Sequence, residues 1–101
     1  MTRIVWTLQA IEDVEAIRGY IARDSPSYAA LTAERIVESV ERLKEFPRSG
    51  RVVPEVEREA YREVILGTYR IVYRLKDDRA EILTVVHAAR LLPNLGDADT
   101  R

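Results

Sequence analysis

The chain has 101 residues, of which 47% are hydrophobic and 33% are charged, and its formal net charge at pH 7 is −1. This length and composition predict one soluble domain with one core, and no apolar run approaches the roughly 18 residues that span a bilayer. The lack of cysteine excludes disulfides, thiolate zinc sites and cysteine nucleophiles. Because there is one histidine, we expect no metal site and no cofactor.

The charge is unevenly distributed along the chain. Residues 1–46 hold six Lys/Arg and eight Asp/Glu, whereas residues 47–92 hold nine and seven. A protein that binds nucleic acid through phosphates usually has a strong basic excess, so this small excess is weak support for such a role. The N-terminus lacks a basic region followed by an apolar one, and we therefore expect a cytoplasmic protein without a secretory signal.

The first half of the chain has the pattern of a strand followed by two helices. The run from Arg3 to Trp6 suits a strand, and Thr7 can cap the helix that follows. The apolar stripe of that helix is Leu8, Ile11, Val14, Ile17 and Tyr20/Ile21, with Glu12, Asp13, Glu15 and Arg18 on the other face. Ser25 and Pro26 start a second helix, which ends at "FPRSGR" and has the stripe Ala29, Ala33, Ile36/Val37, Val40 and Leu43.

After "FPRSGR" the apolar period changes from about 3.6 to 2, which is typical of strands. Strands are predicted over residues 60–66, 68–75 and 80–87, and their short connections favour an antiparallel meander. The predicted fold class is α+β: an N-terminal strand, an antiparallel two-helix hairpin, and a three-stranded meander that completes a small twisted sheet. We expect residues 1–92 to form this single domain and residues 93–101 to form a flexible tail.

Arginines on the predicted sheet are the main candidate functional groups, because no phosphate loop, serine nucleophile or paired-carboxylate motif stands out. Alternation in the middle strand places Arg70, Val72 and Arg74 on one face and Tyr69, Ile71 and Tyr73 on the other. Further arginines that could surround the first face are Arg48, Arg51, Arg62, Arg79 and Arg90. Guanidinium groups suit carboxylates and phosphates equally, but they could instead form solvent-facing cross-strand pairs with Glu63 and Glu81.

The last predicted strand ends in "TVVHAAR", which contains His87 and Arg90. Imidazole can act as a general base near neutral pH, but the sequence indicates no second positioned group. We therefore favour a strand-end histidine bonded to backbone over a catalytic one. The acidic clusters at 12–15 and 55–59 are interpreted as solvated faces, and the sheet tyrosines as core or cross-strand residues.

The order of these motifs resembles the ParE/RelE superfamily of bacterial type II toxins. The matching residues are Trp6, Ala10, Asp13, Ile17, Tyr20 and Ile21, then Ser25, Pro26 and Ala29, then Leu43, Phe46, Pro47, Gly50 and Arg51, then "YRIVY" from Tyr69 and "VVHAAR" from Val85. The resemblance covers residues 3–90. It implies a small twisted sheet with two N-terminal helices, in agreement with the fold predicted above.

The superfamily has two functional branches, and the fold does not choose between them. RelE-like members cut mRNA in the ribosomal A site, whereas ParE-like members poison DNA gyrase and stabilise its cleaved complex with DNA. Ile65 and Leu66 stand where RelE-like enzymes tend to carry basic side chains, and "LLPNL" after Arg90 has no tyrosine or lysine. The resemblance and the near-neutral charge therefore favour gyrase poisoning. A ribosome-dependent ribonuclease and a non-toxic antitoxin-binding relic are the alternatives.

The resemblance also implies a cognate antitoxin, whose acidic C-terminal segment lays an apolar helix across the hairpin, with a 2:2 assembly as one arrangement. On this interpretation the residues that bind antitoxin or target are Arg48, Arg51, Arg70, Arg74, His87 and Arg90. In a ribonuclease the catalytic candidates would be Arg62, Arg70, His87 and Arg90. We expect Arg70→Glu to weaken antitoxin binding by roughly 2 kcal/mol or more.

Overall fold

The computed structural model describes residues 1–90 and Leu92, so the predicted tail at 93–101 lies outside the described residues. The elements are β1 (Arg3–Trp6), α1 (Leu8–Ala22), α2 (Pro26–Glu41), β2 (Arg51–Val52), β3 (Tyr61–Leu66), β4 (Tyr69–Lys76) and β5 (Arg79–His87). The strands form one sheet in the order β1-β5-β4-β3-β2, in which β1 runs parallel to β5 and the other pairs are antiparallel. The α+β prediction is confirmed, and the short edge strand β2 is an addition to it.

Both helices begin at the predicted capping residues. The hydroxyl of Thr7 accepts a hydrogen bond from the amide of Ala10, and that of Ser25 accepts one from the amide of Tyr28, both at 3.2 Å. Pro26 occupies the first turn of α2, where its missing amide hydrogen needs no partner. A 3-10 turn at Arg42–Lys44 continues α2. Within the described part of the chain, neither helix is long and apolar enough to cross a membrane.

The main core lies between the helical hairpin and the inner face of the sheet. It consists of Ala10, Ile36, Val40, Leu43, Ile71, Tyr73, Ala80, Ile82 and Val85. A smaller apolar cluster, called here the outer cluster, lies on the opposite face and consists of Val53, Tyr61, Val72 and Leu92. The predicted alternation of β4 is confirmed, because Ile71 and Tyr73 belong to the main core and Val72 to the outer cluster.

The apolar stripe predicted for α1 is only partly buried. Val14 and Ile17 pack against the core, whereas Leu8, Ile11 and Tyr20 are exposed. Each helix of the pair touches the sheet along a narrow stripe, and apolar residues beside that stripe face outwards. The hairpin therefore has apolar surface on its outer side.

A β-bulge in β5 is bonded to α1. The Cα pairing of β4 with β5 steps from Val72 opposite Thr84 to Tyr73 opposite Ile82. The carboxylate of Asp13 accepts hydrogen bonds from the hydroxyl of Thr84 and, at 3.0 Å, from the amide of Val85. The carboxylate thus satisfies a backbone amide at the site of the irregularity. The interpretation of Asp13 as a residue of a solvated face is wrong for this reason.

Candidate functional site

The loop after α2 is fastened to the sheet by the phenol of Tyr73. This hydroxyl donates to the carbonyl of Pro47 at 2.7 Å and accepts from the amide of Gly50 at 3.0 Å, and burial raises the pKa of Tyr73. A Cβ atom on Gly50 would lie 2.6 Å from the Tyr73 hydroxyl and 2.7 Å from the carbonyl oxygen of Glu63. Only glycine lets the loop approach this closely, which explains the glycine in "FPRSGR".

Arg62 also stabilises this loop, through hydrogen bonds to its backbone carbonyls. Its Nη1 donates to the carbonyls of Arg48 and Gly50 at 3.2 and 2.9 Å, its Nε donates to the carbonyl of Glu59 at 3.0 Å, and its Nη2 donates to the Glu59 carboxylate at 2.5 Å. Four of the five guanidinium hydrogens are thereby used. Arg48 itself is exposed, with its guanidinium 3.6 Å from Glu59.

Arg70 is the centre of an ion-pair cluster on the outer sheet face, called here the Arg70 cluster, whose members are Arg51, Glu55, Glu63 and Arg70. Nη1 and Nη2 of Arg70 each donate to one oxygen of Glu55 at 2.7 Å. Nε donates to Oε1 of Glu63 at 2.7 Å, and Nη2 lies 2.6 Å from the same oxygen. Nη1 also donates to the carbonyl of Arg90 at 2.7 Å. All five guanidinium hydrogens of Arg70 therefore have acceptors within the protein.

Glu63 brings a fully buried carboxylate into this cluster. Its side chain is 0% exposed and that of Arg70 is 4% exposed, whereas Arg51 is largely in solvent. Glu63 lies opposite Arg51 in the pairing of β2 with β3, and Oε2 accepts from Nε of Arg51 at 2.6 Å. A buried carboxylate is tolerated when its oxygens are paired and hydrogen-bonded, as they are here. The two acidic and two basic members leave the cluster without net charge.

Glu55 connects the cluster to the chain beyond β5. The hydrogen bonds from Arg70 lower the pKa of Glu55 from 4.5 to about 2, and in turn they raise the pKa of Arg70. Oε2 of Glu55 also accepts from the amide of Leu92 at 3.2 Å. The interpretation of 55–59 as a solvated acidic cluster is wrong for Glu55, whereas Glu59 is exposed as predicted and also pairs with Arg62.

A second ion-pair group involves Arg74 and Arg79. Arg74 lies opposite Glu81 in the pairing of β4 with β5, and its Nη2 donates to Oε1 of Glu81 at 2.6 Å. Nε of Arg79 donates to Oε2 of Glu81 at 3.0 Å. Burial alone would raise the pKa of Glu81, but the hydrogen bonds from the two arginines lower it. The predicted pairs with Glu63 and Glu81 are confirmed, although the pair between Arg70 and Glu63 is buried and not solvent-facing.

His87 and Arg90 lie where the chain leaves β5. Nδ1 of His87 accepts from the amide of Ala89 at 3.2 Å, and its ring meets that of Tyr69 edge-on with 6.5 Å between centroids. The prediction of a strand-end histidine bonded to backbone is confirmed. Arg90 is joined to Arg70 through its carbonyl, and its side chain is exposed.

The structure thus brings some predicted site residues together and separates others. Arg51, Arg70 and the carbonyl of Arg90 meet at one cluster, whereas Arg74 belongs to the Glu81 group. The roles of Glu55 and of the fully buried Glu63 as organising residues were missed, since the sequence gives no register for the strands that bring them to Arg70.

The outer side of the hairpin carries a second candidate surface, called here the hairpin groove. It consists of two shallow depressions that meet at Val37, which is 44% exposed. The first depression is lined mainly by apolar residues, namely Trp6, Ile11, Val14 and Val37, with Glu15. The second is lined by Arg18, Ala30, Ala33, Glu34, Val37 and Glu38. An apolar floor with a charged rim is typical of a surface that binds an amphipathic helix.

A two-helix hairpin packed on one small sheet is the fold that the resemblance to the ParE/RelE superfamily implies. The family model described as "ParE toxin of type II toxin-antitoxin system, parDE" matches residues 4–92, and the chain belongs to this family. The resemblance inferred from the sequence motifs is therefore confirmed, and the chain is a type II toxin–antitoxin toxin of the ParE/RelE kind.

Relatives of the chain carry the names of both branches. Toxin RelE2 of Caulobacter vibrioides is 37% identical over 91 residues, which are 90% of this chain and 100% of the relative. A structure described as the chromosomal ParDE system of P. aeruginosa is 27% identical, has a TM-score of 0.72, and covers 86% of this chain and 96% of its own. The toxin–antitoxin complex RelBE2 of Mycobacterium tuberculosis is 26% identical, has a TM-score of 0.58, and covers 85% and 96%.

Proposed function

We propose that this toxin stops growth by binding DNA gyrase and that it does not cleave RNA. The supporting observation is that two sheet arginines already form hydrogen bonds within the protein. All five guanidinium hydrogens of Arg70 and four of those of Arg62 are bonded in this way. A phosphate-cleaving site stabilises the charge that develops on the phosphate with donors that are free to reach it. Two of the four candidate ribonuclease residues are committed to the fold instead.

Two further features agree with a protein target. The net charge of −1 gives little long-range attraction to ribosomal RNA or to mRNA. Ile65, in the strand where RelE-like enzymes tend to carry basic side chains, is an exposed apolar residue. An exposed apolar side chain suits a protein contact better than a phosphate contact.

A ribosomal cleavage assay tests the alternative function, which is a ribosome-dependent ribonuclease of the RelE type. Purified toxin is added to ribosomes programmed with a short mRNA, and primer extension maps any cut in the A-site codon, with a RelE-type ribonuclease as the positive control. We expect intact mRNA at toxin concentrations that arrest growth. A cut in the A-site codon that disappears with His87→Ala and Arg90→Ala would contradict the proposal, whereas a chain that neither cuts mRNA nor arrests growth would be a binding relic.

We propose further that a cognate antitoxin neutralises this toxin in the cytoplasm by laying an amphipathic helix in the hairpin groove, with a 2:2 assembly as the expected stoichiometry. The two structural neighbours are described as a toxin–antitoxin system and a toxin–antitoxin complex, which supports such a partner. Val37 is at the junction of the two depressions, so it would contact the middle of the bound helix. Residues near the centre of an interface usually carry most of the binding energy.

The groove is tested with two matched charge insertions on α2. Val37→Asp places a carboxylate in the centre of the groove, and we expect the dissociation constant for the antitoxin to rise about 30-fold, or about 2 kcal/mol. Tyr28→Asp is the control, because Tyr28 is 55% exposed and lies about two and a half turns earlier on the opposite side of α2. Equal affinities of the two variants in a calorimetric titration would remove the groove from the interface.

Direct contacts to antitoxin or target are proposed for four exposed residues, namely Arg48, Arg51, His87 and Arg90. Arg70 is buried and Arg74 is bonded to Glu81, so both would act by holding their neighbours in place. Arg70→Glu would bring a new carboxylate to Glu55 and Glu63. We therefore expect its loss of antitoxin binding to be accompanied by a loss of stability, which thermal unfolding of the same variant measures.

A further inference from the structure

We infer that the Arg70 cluster and the outer cluster together form a socket that holds the segment following β5 on the outer face of the sheet. Two backbone groups of this segment are bonded to the ion pairs: the carbonyl of Arg90 accepts from Arg70 at 2.7 Å, and the amide of Leu92 donates to Glu55 at 3.2 Å. The side chain of Leu92 packs into the outer cluster and the residue is 9% exposed. The inference rests on the proposed function in one respect, namely that the held segment contributes to the target-binding surface.

The chain turns towards the socket as soon as β5 ends. The amide of Ala88 donates to the carbonyl of Thr68 at 2.6 Å, and the amide of Arg90 donates to the carbonyl of His87 at 2.9 Å. The second bond closes a turn directly after β5, and the first bond ties the start of that turn to the connection between β3 and β4. Chain ends usually fray unless specific contacts fix them. Here the fixation involves backbone bonds, a charged acceptor and a buried apolar side chain, which are three independent kinds of contact.

Glu55 connects the parts of the chain that form the socket. It belongs to the connection between β2 and β3, it is bonded twice to Arg70 of β4, and it accepts from the amide beyond β5. Hydrogen bonds to a charged group are roughly twice as strong as neutral ones. The carboxylate that completes the charge balance of the cluster therefore also fixes Leu92, and loss of Glu55 leaves the bond from Arg70 to the Arg90 carbonyl as the remaining hydrogen bond between the segment and the ion pairs.

The consequence for binding is a fixed position for Arg90, whose exposed side chain is one of the proposed contacts to antitoxin or target. A segment that is already held on the toxin loses less conformational freedom when it meets a partner than one that is free from the end of β5. Glu55 and Leu92 are thus positioning residues. Their replacement should lower the affinity for the target while the hairpin and the sheet remain folded.

Trypsin provides a direct test, because Arg90 is a cleavage site within the held segment. Cleavage after Arg90 requires that the segment leave the sheet, so its rate reports local opening. We expect Glu55→Ala and Leu92→Ala each to release residues 91–101 about tenfold faster than the unchanged protein, as measured by intact mass. Glu57→Ala is the control, since Glu57 lies in the same loop and none of the cluster's hydrogen bonds involves it. Equal rates in all four proteins, or an equal increase in the control, would overturn the inference.

Two further measurements keep the result interpretable. If Glu55→Ala lowers the melting temperature so far that the whole chain is digested, Leu92→Ala decides, because that change leaves the ion pairs intact. The same four proteins are then titrated in a gyrase supercoiling assay. Faster cleavage with at least fivefold weaker gyrase inhibition supports the positioning role, whereas faster cleavage with unchanged inhibition overturns it. If the unchanged protein does not inhibit gyrase, the proposed target is wrong, and the cleavage rates still decide whether the socket exists.

Discussion

Gly50→Ala should destabilise this toxin far more than an alanine usually does. The added methyl group would lie 2.6 Å from the hydroxyl of Tyr73 and 2.7 Å from the carbonyl oxygen of Glu63. Neither of these atoms can move aside. Tyr73 is fully buried and is held by Pro47, while the second atom belongs to the backbone of β3. Overpacking of this kind costs about 1–3 kcal/mol, and loss of the bond from the Gly50 amide adds about 1 kcal/mol.

Thermal unfolding measures this effect against a control in the same chain. For a domain of this size about 3 kcal/mol corresponds to a fall in Tm of roughly 12–24 °C. Gly19→Ala is the matched control, because Gly19 lies within α1 with no atom within 4 Å of the added methyl group. Alanine is favoured over glycine in a helix by about 1 kcal/mol, so this variant should be more stable than the unchanged protein. A Gly50→Ala protein that melts within about 2 °C of the unchanged protein would refute the close approach of the loop to the sheet.

Three further perturbations follow from the ion pairs and the bulge. Asp13→Ala leaves the amide of Val85 without its acceptor and should lower the free energy of unfolding, measured in urea, by about 1–3 kcal/mol. A change below about 0.5 kcal/mol would mean that the bulge does not need this bond. Arg70→Met leaves the carboxylate of Glu63 buried beside a single exposed arginine and should cost about 3–5 kcal/mol; a variant as stable as the unchanged protein would contradict the charge balance of the cluster. The pKa of Glu55 is about 2 in the folded state and 4.5 ordinarily, so its contribution is complete above about pH 4.5 and is lost as the pH falls towards 2. Solvent screening reduces that contribution to about 1–2 kcal/mol, and Glu55→Gln should remove this part of the acid dependence, which an unchanged pH profile would disprove.

The architecture could be predicted from the sequence because it depends on local patterns. The change of apolar period from 3.6 to 2 separates the helices from the meander, and the capping hydroxyls of Thr7 and Ser25 mark the helix starts. The alternation of β4 likewise places Arg70 and Val72 on the outer face. Each of these features is encoded within a few neighbouring residues.

The site could be predicted only in part, because it depends on register and on long-range pairing. Glu55 and Arg70 are fifteen positions apart and Asp13 and Val85 are seventy-two apart, so nothing local shows that they are partners. The bulge shifts the alternation of β5, which lets both Ile82 and Val85 reach the core. The sequence therefore identifies the arginines of the outer face and the possible partners Glu63 and Glu81, but not Glu55 or the burial of Glu63.

Gyrase poisoning is tested with purified toxin, gyrase, ATP and relaxed plasmid. Supercoiling is scored together with the linear DNA that remains after detergent and protease. We expect inhibition of supercoiling with accumulation of linear DNA, and neither effect when the antitoxin is added first. Normal supercoiling at a large molar excess of toxin, without linear DNA, would contradict it.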